Sequence, residues 1–524
     1  MKNRYWHPFL LTAFPALSLF VHNLLPAQRL PVLLLPLLLG LLLAGVVFFL
    51  LKKLLSNPYK AAIITTLISV FFFSYGHLYE FFVASSGSFA ALSPHVKHIL
   101  PLAAGFLATA ALVFLVIRTR KDLSPVNGFL NVVSLIAIAQ PVFSFAMEEY
   151  KAHRVAQKYE AGIGQNATAG AQKTYPDIYY IMMDGYGRAD LLQQDYGYDN
   201  SPFLNNLKSK GFYVANCSQS NYTHTVFSQA ATTNMQYVDD IAVVKNEREE
   251  KSASQAIFNN EVFRFLKKLG YRTVSFDAAV FDHVQVTGTD VYYRTPTLSG
   301  FAFDNFHYQL ISLTPVQLLL KFLENDQSRY NELHREKILH GFRKLKEAHT
   351  LRGPVMVYAH FLAPHNPHVF GKNGEPLDPQ IRVLDNVPIS DTTTRNTYRQ
   401  TYRDELHYLN TLLTEAIDSI IANSATPPVI VLQSDHGPDA KMDVNSLENS
   451  DPKERFANLF AIYLPNQDTS QLYQTITPVN TFRVVFNNTF NASLPLLPDK
   501  SYYSTHKEKM KFTEMGNLGC GAAK

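Results

Sequence analysis

The chain has 524 residues, 47% hydrophobic and 17% charged, with a formal net charge of +4. That length is too great for one ordinary compact core, so at least two structural units are expected. The net charge averages a region of Leu, Phe, Val and Ala up to about residue 150 with a polar remainder, and so points to no partner; the two cysteines, Cys217 and Cys520, allow at most one disulfide and form no CxxC, which argues against a thiolate metal site or a disulfide framework and leaves the redox compartment open.

A bilayer-spanning helix needs about 20 mostly apolar residues. The first 150 residues offer five such stretches, roughly 8–25, 31–51, 61–79, 99–117 and 128–146. The second, "PVLLLPLLLGLLLAGVVFFLL", is the plainest; the first and third are weaker, and a cleavable signal peptide would explain only the first. Basic residues accumulate in cytoplasmic loops. With the N terminus inside, Lys2, Arg4, Lys52, Lys53, Lys60, Arg118, Arg120 and Lys121 fall inside, against Arg29 and Lys97 outside. Five spans then carry everything beyond residue 150 out of the cytoplasm. One helix would suffice as a plain anchor, so five favour a membrane part that also handles a lipid substrate. Glu80, near a span end, is the main intramembrane acid, and nothing resembles an ion path.

Residues 151–174 are small and polar, as in a linker, and 175–524 form the soluble domain. Strands are expected at 177–183, 271–276, 354–361, 428–433 and 458–464, apolar on both alternating faces as central strands are. Helical spacing lies between them at 253–269, 330–348 and 399–422, while 371–396 and 438–454 read as long loops. The β, α, β, α order predicts a mostly parallel sheet with helices on both sides. Such sheets bind ligands beyond the carboxyl ends of their strands.

Three of those ends carry chemistry. "DIYYIMM" runs into Asp184-Gly-Tyr-Gly187, "PVMVYAHF" leads to Ala363-Pro-His-Asn-Pro-His368, and "PVIVLQS" ends in Asp435-His-Gly437. Two acids and an imidazole delivered to one edge suit Zn²⁺ or Mn²⁺, and Mg²⁺ or Ca²⁺ less well. Taken singly, an Asp after a strand is more often a turn former or helix cap, and a lone His a satisfied polar group. A nucleophile is offered by "SNYTHTVFSQAATTNM", where Thr225 stands near a helix N terminus that favours developing negative charge. Simple N-capping is the alternative, and spacing alone does not choose Thr225 over Thr223 or Ser228. Lys441 and Arg455 could meet an anionic substrate, but charges in such a loop are usually solvated decoration.

In their order along the chain, these pieces resemble the alkaline phosphatase and sulfatase superfamily over roughly residues 175–490: a strand ending Asp-Gly, a Thr at a helix start about forty residues later, a Pro-His-x-Pro segment, and a strand ending Ser-Asp-His-Gly. The resemblance implies an α/β fold in which a five-helix transmembrane domain (1–150) precedes an alkaline-phosphatase-like α/β/α sandwich. It implies that Asp184, Thr225, Asp435 and His436 share one divalent metal ion (Mn, Zn, Ca or Mg) and that Thr225 is the covalent nucleophile. His365 matches a histidine facing substrate or leaving group, and His368 is a second candidate for that contact.

Departures narrow the reading. Sulfatases carry Cys or Ser, converted to formylglycine, in a Cys-x-Pro-x-Arg setting; here the stretch is "TVFSQ", with Gln229 where the Arg would be. A second metal's Asp and His ligands are not found in a convincing place. The architecture is similar to lipoteichoic acid synthases and lipid A phosphoethanolamine transferases, although Glu is common there at the position of Asp184. The resemblance implies a multi-pass protein of a bacterial cytoplasmic membrane, with the catalytic domain outside, hydrolysing or transferring a phospholipid head group through a covalent Thr intermediate. Its expected partners are the membrane and a phospholipid or lipid-linked substrate, with no nucleic acid. The rivals are a sulfate-ester hydrolase and a non-catalytic membrane-tethered binding protein.

Overall fold

The computed structural model describes residues 4–22, 30–84, 94–158, 175–277, 289–295, 305–318, 326–378 and 392–520. The chain divides into two units, one comprising residues 1–24, 28–157 and 303–326, the other 25–27, 158–302 and 327–524. Most of the expected linker, 159–174, lies outside the described residues.

The first unit is helical: α1 (His7–His22), α2 (Leu30–Leu55), α3 (Pro58–Ala84), α4 (Pro94–Arg118) and α5 (Ser124–Lys158). Segments of α2 to α5 are long and apolar enough to cross a membrane. Five helices stand where five spans were expected, but α1 has only 16 described residues, short of the about 20 that a bilayer requires. Its start is tied to α5, because Asn131 Oδ1 accepts the N–H groups of Trp6 and His7 at 3.0 and 3.1 Å. Two donors that a helix start leaves without intrahelical partners are thereby satisfied. The last helix continues to Lys158, into the stretch expected to be linker.

Among the described residues, every exposed large apolar side chain belongs to this unit, from Leu34 to Tyr150 together with Val316. Apolar surface on that scale calls for a nonpolar surrounding. The segment 303–326 was read as part of the soluble domain, yet its helix Asn305–Ser312 belongs here. Phe306 and Leu310 are buried with Phe20, Val21, Val32 and Leu33, and Gly76 N–H donates to Leu313 O at 3.0 Å.

The second unit is built on a seven-stranded sheet: β1 (Ile178–Met183), β2 (Tyr213–Val214), β3 (Arg272–Phe276), β4 (Val291–Tyr293), β5 (Val355–Phe361), β6 (Val429–Gln433) and β7 (Phe460–Tyr463). The order is β2-β7-β6-β1-β5-β3-β4, parallel from β6 to β4, with β2 and β7 antiparallel at one edge. A small hairpin, β8 (Ser501–Tyr503) with β9 (Thr513–Met515), lies outside it. The five expected strands are present; those missed have two or three residues, too few to show periodicity.

Both faces of the sheet are covered. Tyr179, Ile181 and Met183 on one face join a core with Ile338, Phe342 and Leu345 of the helix Asp326–Glu347 and Leu406, Leu409 and Leu413 of the helix Thr392–Asn423. On the other, Tyr180 meets Phe482 at 5.2 Å and Tyr358 meets Phe263 at 6.1 Å between ring centroids. The register decides where the ends fall. Met182 pairs with Gln433 and Met183 with Phe361, so Asp184 emerges abreast of Asp435 at the carboxyl edge.

Candidate metal centre and nucleophile

Asp184 follows β1 and Asp435-His436 follows β6, and one donor atom from each of the three lies within 4.8 Å of the others. All three side chains are buried. Gly185 turns the chain at φ +73°, in the left-handed region that favours glycine. Tyr402 Oη donates to Gly185 O and accepts from Gly187 N–H, both at 2.9 Å, and so pins that turn. Gly437 is required for a different reason. A Cβ there would overlap the carbonyls of Glu454 and Ala457, against which the Asp-His-Gly backbone is packed.

The carboxylates are each half-satisfied. Asp435 Oδ1 accepts Gly185 N–H at 3.2 Å and Asp184 Oδ2 accepts from His360 Nε2 at 3.1 Å, while Asp435 Oδ2 and Asp184 Oδ1 accept no hydrogen bond. These two oxygens lie 3.1 and 3.4 Å from His436 Nε2. Burial pushes the His436 imidazole below its ordinary range, with the Arg455 cation adding to the effect. Its Nδ1 faces Gly437 O at 2.9 Å and must donate, so Nε2 carries the lone pair. Burial opposes charge on Asp184, but nearby His365 and the hydrogen bond from His360 outweigh it and hold the carboxyl well below its usual range. Two anionic oxygens and one neutral imidazole nitrogen, buried and convergent, fit a divalent cation, because leaving buried carboxylate oxygens unpaired is otherwise costly.

Thr225 is the first residue of the helix Thr225–Asn234, with His224 as its cap. Its Oγ1 lies 3.2 Å from His436 Nε2 and 3.5 Å from Asp184 Oδ2. The other hydroxyls are committed elsewhere: Ser228 Oγ donates to Tyr222 O at 3.1 Å and Thr223 Oγ1 to Ser504 O at 3.4 Å. Of the three alternatives that spacing leaves open, only Thr225 is brought to the acids.

The two histidines of the Pro-His-Asn-Pro-His loop diverge. His365 stays near the cluster, its ring 6.0 Å from that of His436, with Nδ1 on Asn366 O at 2.7 Å and Nε2 3.4 Å from Asp439 Oδ2. His368 is buried, with Nδ1 on Thr401 Oγ1 at 2.7 Å and Nε2 on Pro364 O at 3.1 Å. Both its nitrogens meet protein groups, on the side of the loop that faces the helix Thr392–Asn423 and Pro364. Thr401, together with Glu405, whose Oε2 accepts the N–H groups of Val369 and Phe370, holds this loop from the helix Thr392–Asn423.

Beyond the site, a family model described as Sulfatase matches residues 176–485, more than half of the chain. This chain belongs to the sulfatase family. No curated protein matches it in sequence. Among solved structures, this sulfatase-family chain is similar to the C-terminal periplasmic domain of EcEptC from Escherichia coli in complex with Zn (12% identity, covering 66% of this chain and 94% of that one, TM-score 0.44). It is also similar to the lipooligosaccharide phosphoethanolamine transferase A (EptA) from Neisseria meningitidis (12% identity, 93% and 94% covered, TM-score 0.39) and to the periplasmic domain of phosphoethanolamine transferase EptC from Campylobacter jejuni (14%, 62% and 96%, TM-score 0.36).

Several residues of the site escaped the sequence. His360 sits inside an apparently apolar strand, and only its polarity on the last turn of alternation before the Pro-His loop marks it. Arg455 is not solvated decoration: it is buried, its Nη1 is paired with Asp439 and its Nε donates to Thr223 O at 2.9 Å. Lys441 pairs with Asp195 at 2.8 Å and Asp451 at 3.2 Å, which accounts for its charge within the loop.

Proposed function

We propose that the chain is a membrane-anchored phosphoester transferase or hydrolase whose Thr225 forms a covalent intermediate with a phospholipid-derived head group. The observation that carries this reading is the approach of Thr225 Oγ1 to the buried Asp184, Asp435 and His436 cluster from the start of a helix. A divalent cation held by those three residues would lower the pKa of a coordinated hydroxyl and neutralise charge on phosphoryl oxygens. Thr225 Oγ1 gives up its proton to solvent and attacks phosphorus, forming one O–P bond as the bond to the leaving oxygen breaks. The positive end of its helix faces the negative charge that develops. His365 gives the leaving oxygen its proton, and Asp439 orients that ring. Water, or an acceptor alcohol, then displaces Thr225 from phosphorus.

A phosphoester rather than a sulfate ester is supported by the nucleophile, because Thr lacks the chemistry that makes formylglycine. A lipid substrate and a catalytic domain outside the cytoplasm are supported by the apolar surface of the first unit and by the Cys217–Cys520 disulfide, a bond typical of oxidising compartments. The test is incubation of the full chain with Mn²⁺ or Zn²⁺ and head-group-labelled phospholipid, followed by mass spectrometry of the peptide carrying Thr225. A phosphorylated or phosphoester-modified Thr225 is expected, lost in Thr225→Ala with the fold intact. Turnover near wild type in that variant overturns the proposal.

A further inference from the structure

We propose that His360 and Gln229 are a positioning pair that commits Asp184 to binding the cation through a single oxygen and locks that ligand to the helix bearing Thr225. This rests on the reading of Asp184, Asp435 and His436 as a metal centre.

His360 lies on β5 opposite Met182 of β1, next to the end from which Asp184 emerges. Its Nδ1 is 3.2 Å from Gln229 Nε2 and its Nε2 is 3.1 Å from Asp184 Oδ2. An amide nitrogen only donates, so His360 Nδ1 accepts and the ring proton sits on Nε2, directed at the carboxylate. The reverse amide orientation would move that proton to Nδ1 and set a lone pair of Nε2 against Asp184. Donation to Oδ2 leaves Oδ1, which accepts no hydrogen bond, as the oxygen nearer His436. The same division holds at Asp435, where Gly185 N–H takes Oδ1 and leaves Oδ2. The restraint on Asp435 is backbone; the one on Asp184 is made by side chains and is open to substitution.

Gln229 follows Thr225 by four residues, about one helical turn, and therefore shares its face of the helix. It is fully buried. Any rotation of that helix moves Gln229 with Thr225 and, through His360, turns the Asp184 carboxylate. Ligand and hydroxyl are thus held in one geometry by a neutral chain of hydrogen bonds, at the position where the sulfatase pattern has an arginine. Partners of metal-binding carboxylates act in this way, and their loss typically costs 10–100-fold in affinity or activity.

The full chain in detergent, stripped by chelator, is titrated calorimetrically with Zn²⁺ and with Mn²⁺. His360→Ala is expected to weaken binding by about 10–100-fold. His360→Gln, whose amide can still donate to Asp184, should recover most of it. Gln229→Leu should weaken binding less than His360→Ala, and the double variant no more than His360→Ala alone, as residues acting in one chain are not additive. Wild-type affinity in both His360→Ala and Gln229→Leu, or additive losses, overturns the pair. Asp435→Asn separates the two readings: if it abolishes binding while the His360 and Gln229 variants bind normally, the pair alone fails. If the wild-type chain binds neither ion, the centre and the pair fail together. Thermal melts without metal check that each variant folds, and Gln229→Leu carries the test should His360→Ala not fold.

Discussion

His365 Nε2 lies 3.4 Å from Asp439 Oδ2, and the same carboxylate is paired with Arg455. Burial pushes the Asp439 carboxyl up, but the Arg455 guanidinium and His365 outweigh it and hold it below its usual range. A charged carboxylate fixed in this way orients the His365 ring toward the cluster. Asp439→Asn preserves the shape and removes the charge. It should lower kcat by about 10²-fold, within the span that positioned acid–base groups supply, with little change in KM. Steady-state kinetics on a labelled phospholipid checks this, and an unchanged kcat would show that His365 works without its partner.

Asp184, Thr225, Asp435 and His436 were legible because strands ending in Asp-Gly or Asp-His-Gly, and a Thr before a helix, are local signals. The rest depends on packing. His365 and His368 are chemically equivalent in "APHNPH", and only the approach of Thr401 decides which one is turned inward. His360 was hidden because a strand pattern reports which faces are covered, not which residue borders a site. The helix Asn305–Ser312 falls inside the stretch 175–524 expected to be soluble domain, and its eight residues carry no local signal of the burial with α1 and α2 side chains, which is a tertiary fact.

Cys217 and Cys520 form a disulfide across 303 residues of chain, joining the approach to Thr225 to a C-terminal segment beyond the family match. Removing a native disulfide typically costs about 2–5 kcal/mol. The double variant Cys217→Ser, Cys520→Ser should therefore melt at a lower temperature than the wild type in matched detergent. Thiol titration of the unfolded, unreduced wild type should find no free cysteine. Two titratable thiols would contradict the bond.

Stability should also depend on pH through Glu405. Burial pushes its carboxyl up from 4.5 to about 8, against the hydrogen bonds from Val369 and Phe370. A folded-state pKa raised above the unfolded one means that the folded chain holds the proton through that window. The contribution is fully present below about 4.5 and is lost as pH rises toward 8. Glu405→Gln, neutral throughout, lacks this loss. Thermal midpoints at pH 5 and pH 8 should fall more for the wild type than for Glu405→Gln, and parallel curves would refute the assignment.

In the membrane unit, Gly76 is placed against backbone rather than side chains. A Cβ there would stand 2.5 Å from Ser312 O and 2.9 Å from Leu313 Cα, and the residue's own N–H donates to Leu313 O at 3.0 Å. Neither neighbour is a flexible side-chain end, so even alanine must push the segment after the helix Asn305–Ser312 away or lose the hydrogen bond. In an ordinary helix interior, Gly to Ala stabilises by about 1 kcal/mol. The opposite sign is expected here: Gly76→Ala should lower the thermal midpoint of the full chain, while Gly128→Ala in α5, where a Cβ meets nothing, should not. Zinc titration of Gly76→Ala should match the wild type, since the proposed ligands Asp184, Asp435 and His436 lie in the other unit. A Gly76→Ala chain as stable as Gly128→Ala would show that Ser312 and Leu313 do not pack on α3.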